Sequence, residues 1–266
     1  MLNNEPTRFI EYISDRASSR IGFYFEALIS FLLNEYPEFE LIAEHLQLHQ
    51  NGKTLGEIDF LYKNMNTGEI THLEVAIKYY LGSSQWRSIN HPFKHWLGPM
   101  IKDRLDLKSN HLINHQTAIS DSEAFRDLAR EQDLPQPTRK SVMLLGYLFR
   151  NPKENLNLSI SNNTQESNHW YKLSDIKSYL STTHKYVVPK KPYWLGPHHK
   201  SEDNNFWSSN DLPTEARRII KEWKRPILVS AIPIIEFTEE KEFYKEDKRF
   251  FIVPDNWAGL SKPNQP

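Results

Sequence analysis

Apolar and polar positions follow two different periods along this chain, and the switches between them lay out its first half. Over residues 20–35, Ile21, Phe25, Leu28 and Leu32 recur at helical spacing, which predicts a helix carrying one apolar stripe. Pro37 marks the exit, because a proline disfavours helical geometry in the residue before it. Residues 40–49 then read as a first strand, with Leu41 to Leu46 also able to extend a helix, and Asn51-Gly52 is a turn dipeptide. Two alternating stretches follow, Glu57 to Lys63 and Thr71 to Tyr80, around a hairpin-type connection that contains Gly68. Residues 83–98 are aromatic and proline-punctuated, as in an ordered loop. Residues 102–117 look helical, with Leu105, Leu112 and Ile113 on the buried side. Residues 141–149 form a continuous apolar run of strand length, the pattern of a strand covered on both faces.

The order is therefore helix, three strands, helix, strand. The last strand returns by a helical crossover and should lie parallel to an earlier one. This predicts an α/β core with a mixed sheet over residues 1–150. The polar, Asn-rich stretch 151–168 is the expected linker. Beyond it, a C-terminal α+β region over 169–266 is predicted to hold a short helix near 173–180 and a strand near 185–188. A helix at 213–224 and strands at 227–235 and 249–253 follow. Trp170, Trp194, Trp207, Trp223 and Trp257 give this half large apolar groups for a core, packed alone or on the first sheet. Trp-Leu-Gly-Pro occurs at 96–99 and again at 194–197 with different flanks, which reads as a recurring aromatic turn.

Composition narrows the chemistry. The 266 residues are 38% hydrophobic and 25% charged, as in ordinary globular proteins. With Lys+Arg 33 against Asp+Glu 34, no global basic field advertises nucleic acid, although a local basic face stays open. Cys 0 excludes disulfides, thiolate metal sites and cysteine catalysis, so any metal must be held by oxygen or imidazole. The N-terminal stretch lacks the basic start and apolar core of a signal peptide. No apolar run approaches the roughly 20 residues that span a bilayer. A cytoplasmic location without membrane association is the expectation.

The hairpin carries the candidate site. In the first strand Ile58, Phe60 and Tyr62 point one way and Glu57, Asp59 and Leu61 the other. In the second, His72, Glu74, Ala76, Lys78 and Tyr80 share a face. A solvated outer face explains such alternation by itself. Register adds a second reading. If Asn66-Thr67 is a two-residue turn, or 65–68 a four-residue loop, Asp59 faces Glu74, and like charges directly opposed are destabilising unless a divalent cation is shared. Lys78, on Glu74's face, would then serve a water or a phosphate oxygen. Glu26 offers a third acid at the edge of the helical stripe, where plain amphipathicity also accounts for it.

Helix Glu26, then Gly56-Glu57-Ile58-Asp59, then Glu74-Val75-Ala76-Ile77-Lys78, then helix and buried strand resembles the PD-(D/E)XK nuclease superfamily core. More closely, residues 20–117 resemble a bacterial family called domain of unknown function 1853, at Thr54–Tyr62, Leu73–Gly82 and Trp96–Lys108. The resemblance implies the restriction-endonuclease-like α-β-β-β-α-β fold, Asp59 and Glu74 as ligands of Mg²⁺ or Mn²⁺, and Lys78 as catalytic lysine. It implies nothing specific about substrate; the leading expectation is a phosphodiester-hydrolysing nuclease, with nucleic acid, DNA or RNA, as partner. Gln116 resembles a polar residue the superfamily supplies after its core, while a lone glutamine also commonly just hydrogen-bonds solvent. The superfamily's usual acid lies two residues before the lysine, where this chain has Ala76. That departure keeps a binding module without hydrolysis as the alternative.

Weaker features complete the set. His111 and His115 stand four apart on one helix face, without a catalytic glutamate between them, as on an exposed polar face. Lys190 and Lys191 adjoin Tyr193, Trp194 and His198-His199, a basic-aromatic mixture that can grip a nucleic-acid strand. Arg217 and Arg218, with Lys221, Lys224 and Arg225, give a second basic stretch on a helix, where solvation is the alternative explanation. The acidic stretch 236–247 should not face a phosphate backbone.

Overall fold

The fold comes from a computed structural model, which describes residues 6–16, 20–84, 92–154, 168–198, 205–236 and 244–259. In chain order the elements are α1 (Pro6–Arg16), α2 (Ile21–Glu35), β1 (Phe39–Gln50), β2 (Lys53–Asn64), β3 (Ile70–Gly82) and β4 (Trp96–Leu97). Next come α3 (Leu105–His111), α4 (Glu123–Glu131), β5 (Arg139–Phe149), β6 (His169–Lys172), β7 (His184–Val187), α5 (Leu212–Trp223), β8 (Ile227–Pro233) and β9 (Lys248–Val253). This is a mixed α+β architecture. Among the described residues no helix is long and apolar enough to cross a membrane. Two compact units divide the chain: Met1–Ile77 with Leu107–Leu145, and Lys78–Asp106 with Gly146–Pro266.

In the first unit, β1 and β2 form a long antiparallel hairpin across Asn51-Gly52, and β2 pairs antiparallel with β3. Leu48, Ile58 and Leu61 pack with Ile119, Ala124, Phe125 and Ala129, so the chain around α4 covers this sheet. Ser122 caps α4 by accepting from the Phe125 backbone N–H, a common N-terminal device. Helix α4 has no counterpart in the pattern reading above. Helix α1, which precedes the first element read from the pattern, packs its Phe9 and Tyr12 edge-on against Phe31 of α2. That second contact explains why α2 buries Ile29, Phe31 and Leu33 while Leu32, placed on the predicted stripe, is exposed.

β5 pairs with β3. Its Thr138 end meets Ile70 at an offset of 68 residues. In the second unit Gly146 meets Lys78, which keeps that offset, as parallel strands do. Its apolar run is not covered on both faces, since Leu145 is 50% exposed. Gly146 is required here: its φ is +145°, and a Cβ would stand 1.6 Å from the Lys78 carbonyl oxygen.

The rest of the second unit is a four-stranded sheet in the order β6-β9-β8-β7, with β6 parallel to β9 and the others antiparallel. Helix α5 buries Leu212, Ala216, Ile219 and Ile220 with Ile227, Val229 and Ile252. The helix near 173–180 is a single 3-10 turn, Ile176–Tyr179. The two Trp-Leu-Gly-Pro copies differ: Trp96–Leu97 forms β4, whereas 194–197 is a turn. Glu246 and Arg249, both buried, are joined at 2.5 Å, and Arg249 also donates to the carbonyls of Trp194 and Gly196. The acidic stretch therefore ends in a buried ion pair. Its residues 237–243, like most of the 151–168 stretch and His199, lie outside the described residues.

Candidate functional site

The β2–β3 hairpin closes through Asn64 N–H to Glu69 O (2.9 Å) and Gly68 N–H to Asn64 O (2.8 Å), with Gly68 at φ +73°. The loop is thus 65–68, and the ladder runs from Lys63↔Ile70 to Phe60↔Leu73. The next position in this register sets Asp59 against Glu74, as the sequence predicts. There the backbone ladder stops, and the Asp59 carboxylate instead accepts from the Val75 N–H at 2.8 Å.

At its centre the face is not solvated: Glu74 and His72 are 0% exposed, so the wet-strand explanation fails at both. Burial and the neighbouring Glu74 charge push Asp59 up to about 7, against the pull of the Val75 hydrogen bond. Glu26 of α2 is raised as well, by burial first, with Glu57 and Glu74 adding to it and His45 opposing. Three acids from three elements therefore share one electrostatic neighbourhood. His45, on the β1 stretch beside Asp59, has φ +53°, rare for a residue with a Cβ. Its Nδ1 lies 2.9 Å from Glu57 and 4.0 Å from Glu26.

Both Glu74 oxygens are engaged. Oε1 meets His72 Nε2 at 2.8 Å, and Oε2 accepts from Gln116 Nε2 at 2.8 Å. Gln116 Oε1 in turn accepts from Lys108 Nζ at 3.1 Å, and His72 Nδ1 lies 3.0 Å from Ser120 Oγ. Gln116 is aimed inward by a π-type turn over Leu112–Gln116, which follows α3 and precedes a 3-10 turn over Thr117–Asp121. The wider turn shifts helical phase, which is why Ile113 is 58% exposed and not buried as predicted.

Lys78 lies four residues beyond Glu74 in β3 and belongs to the second unit. There its ammonium pairs with Asp103 at 2.8 Å, and Asp103 also accepts from the Tyr80 hydroxyl at 3.4 Å. His111 and His115 stack at 4.9 Å on an exposed face, as expected. Among the described residues no three His, Asp or Glu side chains are arranged to cage a metal ion. Of the basic candidates, Lys190 and Arg218 line one 430 Å³ cavity of the second unit. Lys191 lies over the Trp194 ring at 4.7 Å, and Arg217 is exposed outside that lining.

His45, His72, Lys108 and Ser120 were not identified from the sequence as site residues. His72 carried a signal, since it precedes Glu74 by one pleat on the same face. The others come from elements whose packing no local pattern reveals.

No curated protein and no solved structure matches this chain. A family model does match, over residues 1–253, and its description is "Domain of unknown function (DUF1853)". With nearly all of its length inside that match, the chain belongs to the DUF1853 family.

Proposed function

We propose that the chain is a divalent-metal-dependent nuclease of the PD-(D/E)XK type, acting on phosphodiester bonds of nucleic acid. The observation that carries this reading is the pair Asp59 and Glu74. Two carboxylates of adjoining strands sit where the ladder stops, and burial first, then the neighbouring Glu74 charge, push Asp59 up to about 7. Hard carboxylate oxygens suit Mg²⁺ or Mn²⁺, ions that bind through one or two carboxylates and complete their shell with water and phosphate oxygens. Such an ion, when bound, supplies Lewis-acid charge and lowers the pKa of water.

The chain's own groups have separate tasks in this reading. Asp59 and Glu74 hold the ion. His72 and Gln116 fix the Glu74 carboxylate through one hydrogen bond to each oxygen. The Lys78 ammonium donates to a phosphate oxygen or an attacking water, releasing Asp103 to do so. Glu26, kept protonated longer by burial, supplies a third acid that His45 and Glu57 flank. The φ of His45 is the kind of backbone strain that clusters at functional sites.

A second reading, a nucleic-acid- or protein-binding module without hydrolysis, is favoured by one observation. Both oxygens of Glu74 and the ammonium of Lys78 already have protein partners, and Ala76 stands where the superfamily acid would be.

Incubation with Mg²⁺ or Mn²⁺ and single-stranded DNA, duplex DNA, RNA and branched DNA separates the two. Cleavage lost in Asp59→Ala and in Lys78→Ala supports the nuclease. Retarded mobility without products supports the binding module.

A further inference from the structure

Two of the largest side chains left exposed in the second unit line a 430 Å³ cavity. Tyr193 is 58% exposed and Trp223 41%, and both line it together with Trp207. Rings of this size are normally covered, because each buries a large apolar area. Here the fold holds them at an open rim. Trp223 ends α5, one turn beyond the buried Ile219 and Ile220, and Lys224 then leaves the helix in a left-handed conformation. Trp207 is fixed by backbone hydrogen bonds in both directions with Tyr186 of β7. Tyr193 sits in a turn closed by its own N–H to the Lys190 carbonyl. The rings are therefore placed by backbone, not by contact with one another.

The polar groups around the cavity are few and specific. Asn205 offers an amide, both donor and acceptor. Arg218 also lines it, but its guanidinium is matched by Glu215 at 2.9 Å and Glu222 at 3.2 Å. Lys190, by contrast, has no carboxylate partner among the described residues. Arg225 adds charge near the rim, 4.9 Å from the Trp223 ring centre.

Three aromatic walls, a neutral amide and an unmatched ammonium suit a planar, hydrogen-bonding ring that carries one phosphate. Glu222 also lines the cavity, with Glu215 on the same helix face, so the fit is to one nucleotide, free or within a strand, and not to a run of phosphates. The volume is within the range of small-molecule sites, roughly 300–1,000 Å³. We propose that this cavity binds a nucleobase with its attached phosphate, the rings of Tyr193 and Trp223 stacking on the base and Lys190 meeting the phosphate. This extends the nucleic-acid half of the reading above. It does not depend on the hydrolytic half.

The test is fluorescence anisotropy of a labelled oligothymidylate with the full chain in EDTA, so that no hydrolysis intervenes. Unlabelled thymidine monophosphate and unlabelled oligothymidylate serve as competitors. Saturable binding is expected, and stacking of about 1–3 kcal/mol per base makes Trp223→Ala and Tyr193→Ala each weaken it by roughly tenfold. Trp223→Phe should keep most of the affinity, and Lys190→Ala should flatten its salt dependence. Displacement by the mononucleotide identifies a free nucleotide as sufficient. Displacement by the oligonucleotide alone identifies a strand. Arg130→Ala, an exposed residue of the first unit outside both sites, should bind as the wild type does. No binding of either probe by the wild type overturns the proposal. So does unchanged affinity in Trp223→Ala and Tyr193→Ala, with melting curves showing both variants folded.

Discussion

Glu74 and His72 stand one pleat apart on the same face of β3, joined Oε1 to Nε2 at 2.8 Å with neither side chain exposed. At that distance the imidazole and the carboxylate are directly hydrogen-bonded. Gln116 on the other Glu74 oxygen and Ser120 on the other imidazole nitrogen leave no atom of the pair unengaged. Such a network tolerates the loss of a member poorly, because the survivor stays buried without its partner.

His72→Ala should therefore destabilise the protein by about 1–3 kcal/mol, the cost of leaving a buried polar group without its hydrogen-bond partner. His72→Gln, which keeps a donor for Glu74, should cost clearly less. Urea unfolding of the three proteins measures both. A change below about 1 kcal/mol in His72→Ala would mean that Glu74 does not depend on this bond.

Asp59 sets a pH dependence with a definite sign. Its pKa is raised from 3.8 to about 7 in the folded state, so the folded state binds the extra proton between those values. The stability this contributes is fully present below about 3.8 and is lost as pH rises through about 7. In metal-free buffer, Tm should fall over that window, and Asp59→Asn should flatten the fall. The asparagine oxygen can still accept from Val75 N–H, so Asp59→Asn should equal or exceed the wild type in Tm at neutral pH. A loss of several degrees in EDTA would point to structural hydrogen bonds and against a repelling pair.

Gly146→Ala tests the approach of β5 to β3. A methyl group there would overlap the Lys78 carbonyl oxygen, at a φ that L residues rarely adopt. A loss of more than about 3 kcal/mol, or failure to accumulate as folded protein, is expected. Wild-type stability in this variant would mean that the strands are further apart.

The buried pair of the second unit gives a further expectation. Arg249 joins Glu246 and holds the carbonyls of Trp194 and Gly196, while Glu246 also accepts from Ser230 and the His198 N–H. Arg249→Met should destabilise by about 3–5 kcal/mol. Limited proteolysis should then cut near Trp194, whose anchor is gone. An unchanged cleavage pattern and melting curve would contradict that role.

The hairpin was legible because a two-residue period, a glycine and an Asn-rich turn specify register together. The loop closes at 65–68, one of the two lengths that set Asp59 against Glu74, whereas a three-residue loop would have broken that pairing. What sequence could not reveal was which face is wet. Alternation assigns His72 and Glu74 to the outer side of a hairpin, and the helical turns around Ser120 cover them instead. The phase of residues 112–116 was likewise hidden, because a π-type turn breaks the spacing from which helical faces are read. Helix α4 was passed over although Ser122 marks its start, since its short apolar face, Ala124, Phe125 and Ala129, is too brief for a periodic signal. Lys190 and Arg218 are 28 positions apart, and only the packing of α5 beside β7 lines one cavity with both.

The pairing of Asp59 with Glu74 as holders of a divalent cation is the central claim, and calorimetric titration with Mn²⁺ at pH 8 addresses it most directly. The wild type should bind one Mn²⁺, and Asp59→Asn and Glu74→Gln should each weaken binding at least tenfold. Glutamine at 74 keeps the size of the side chain in its buried place, so the comparison is of folded proteins. Equal Mn²⁺ affinity in all three, or no heat of binding in the wild type, would contradict the claim.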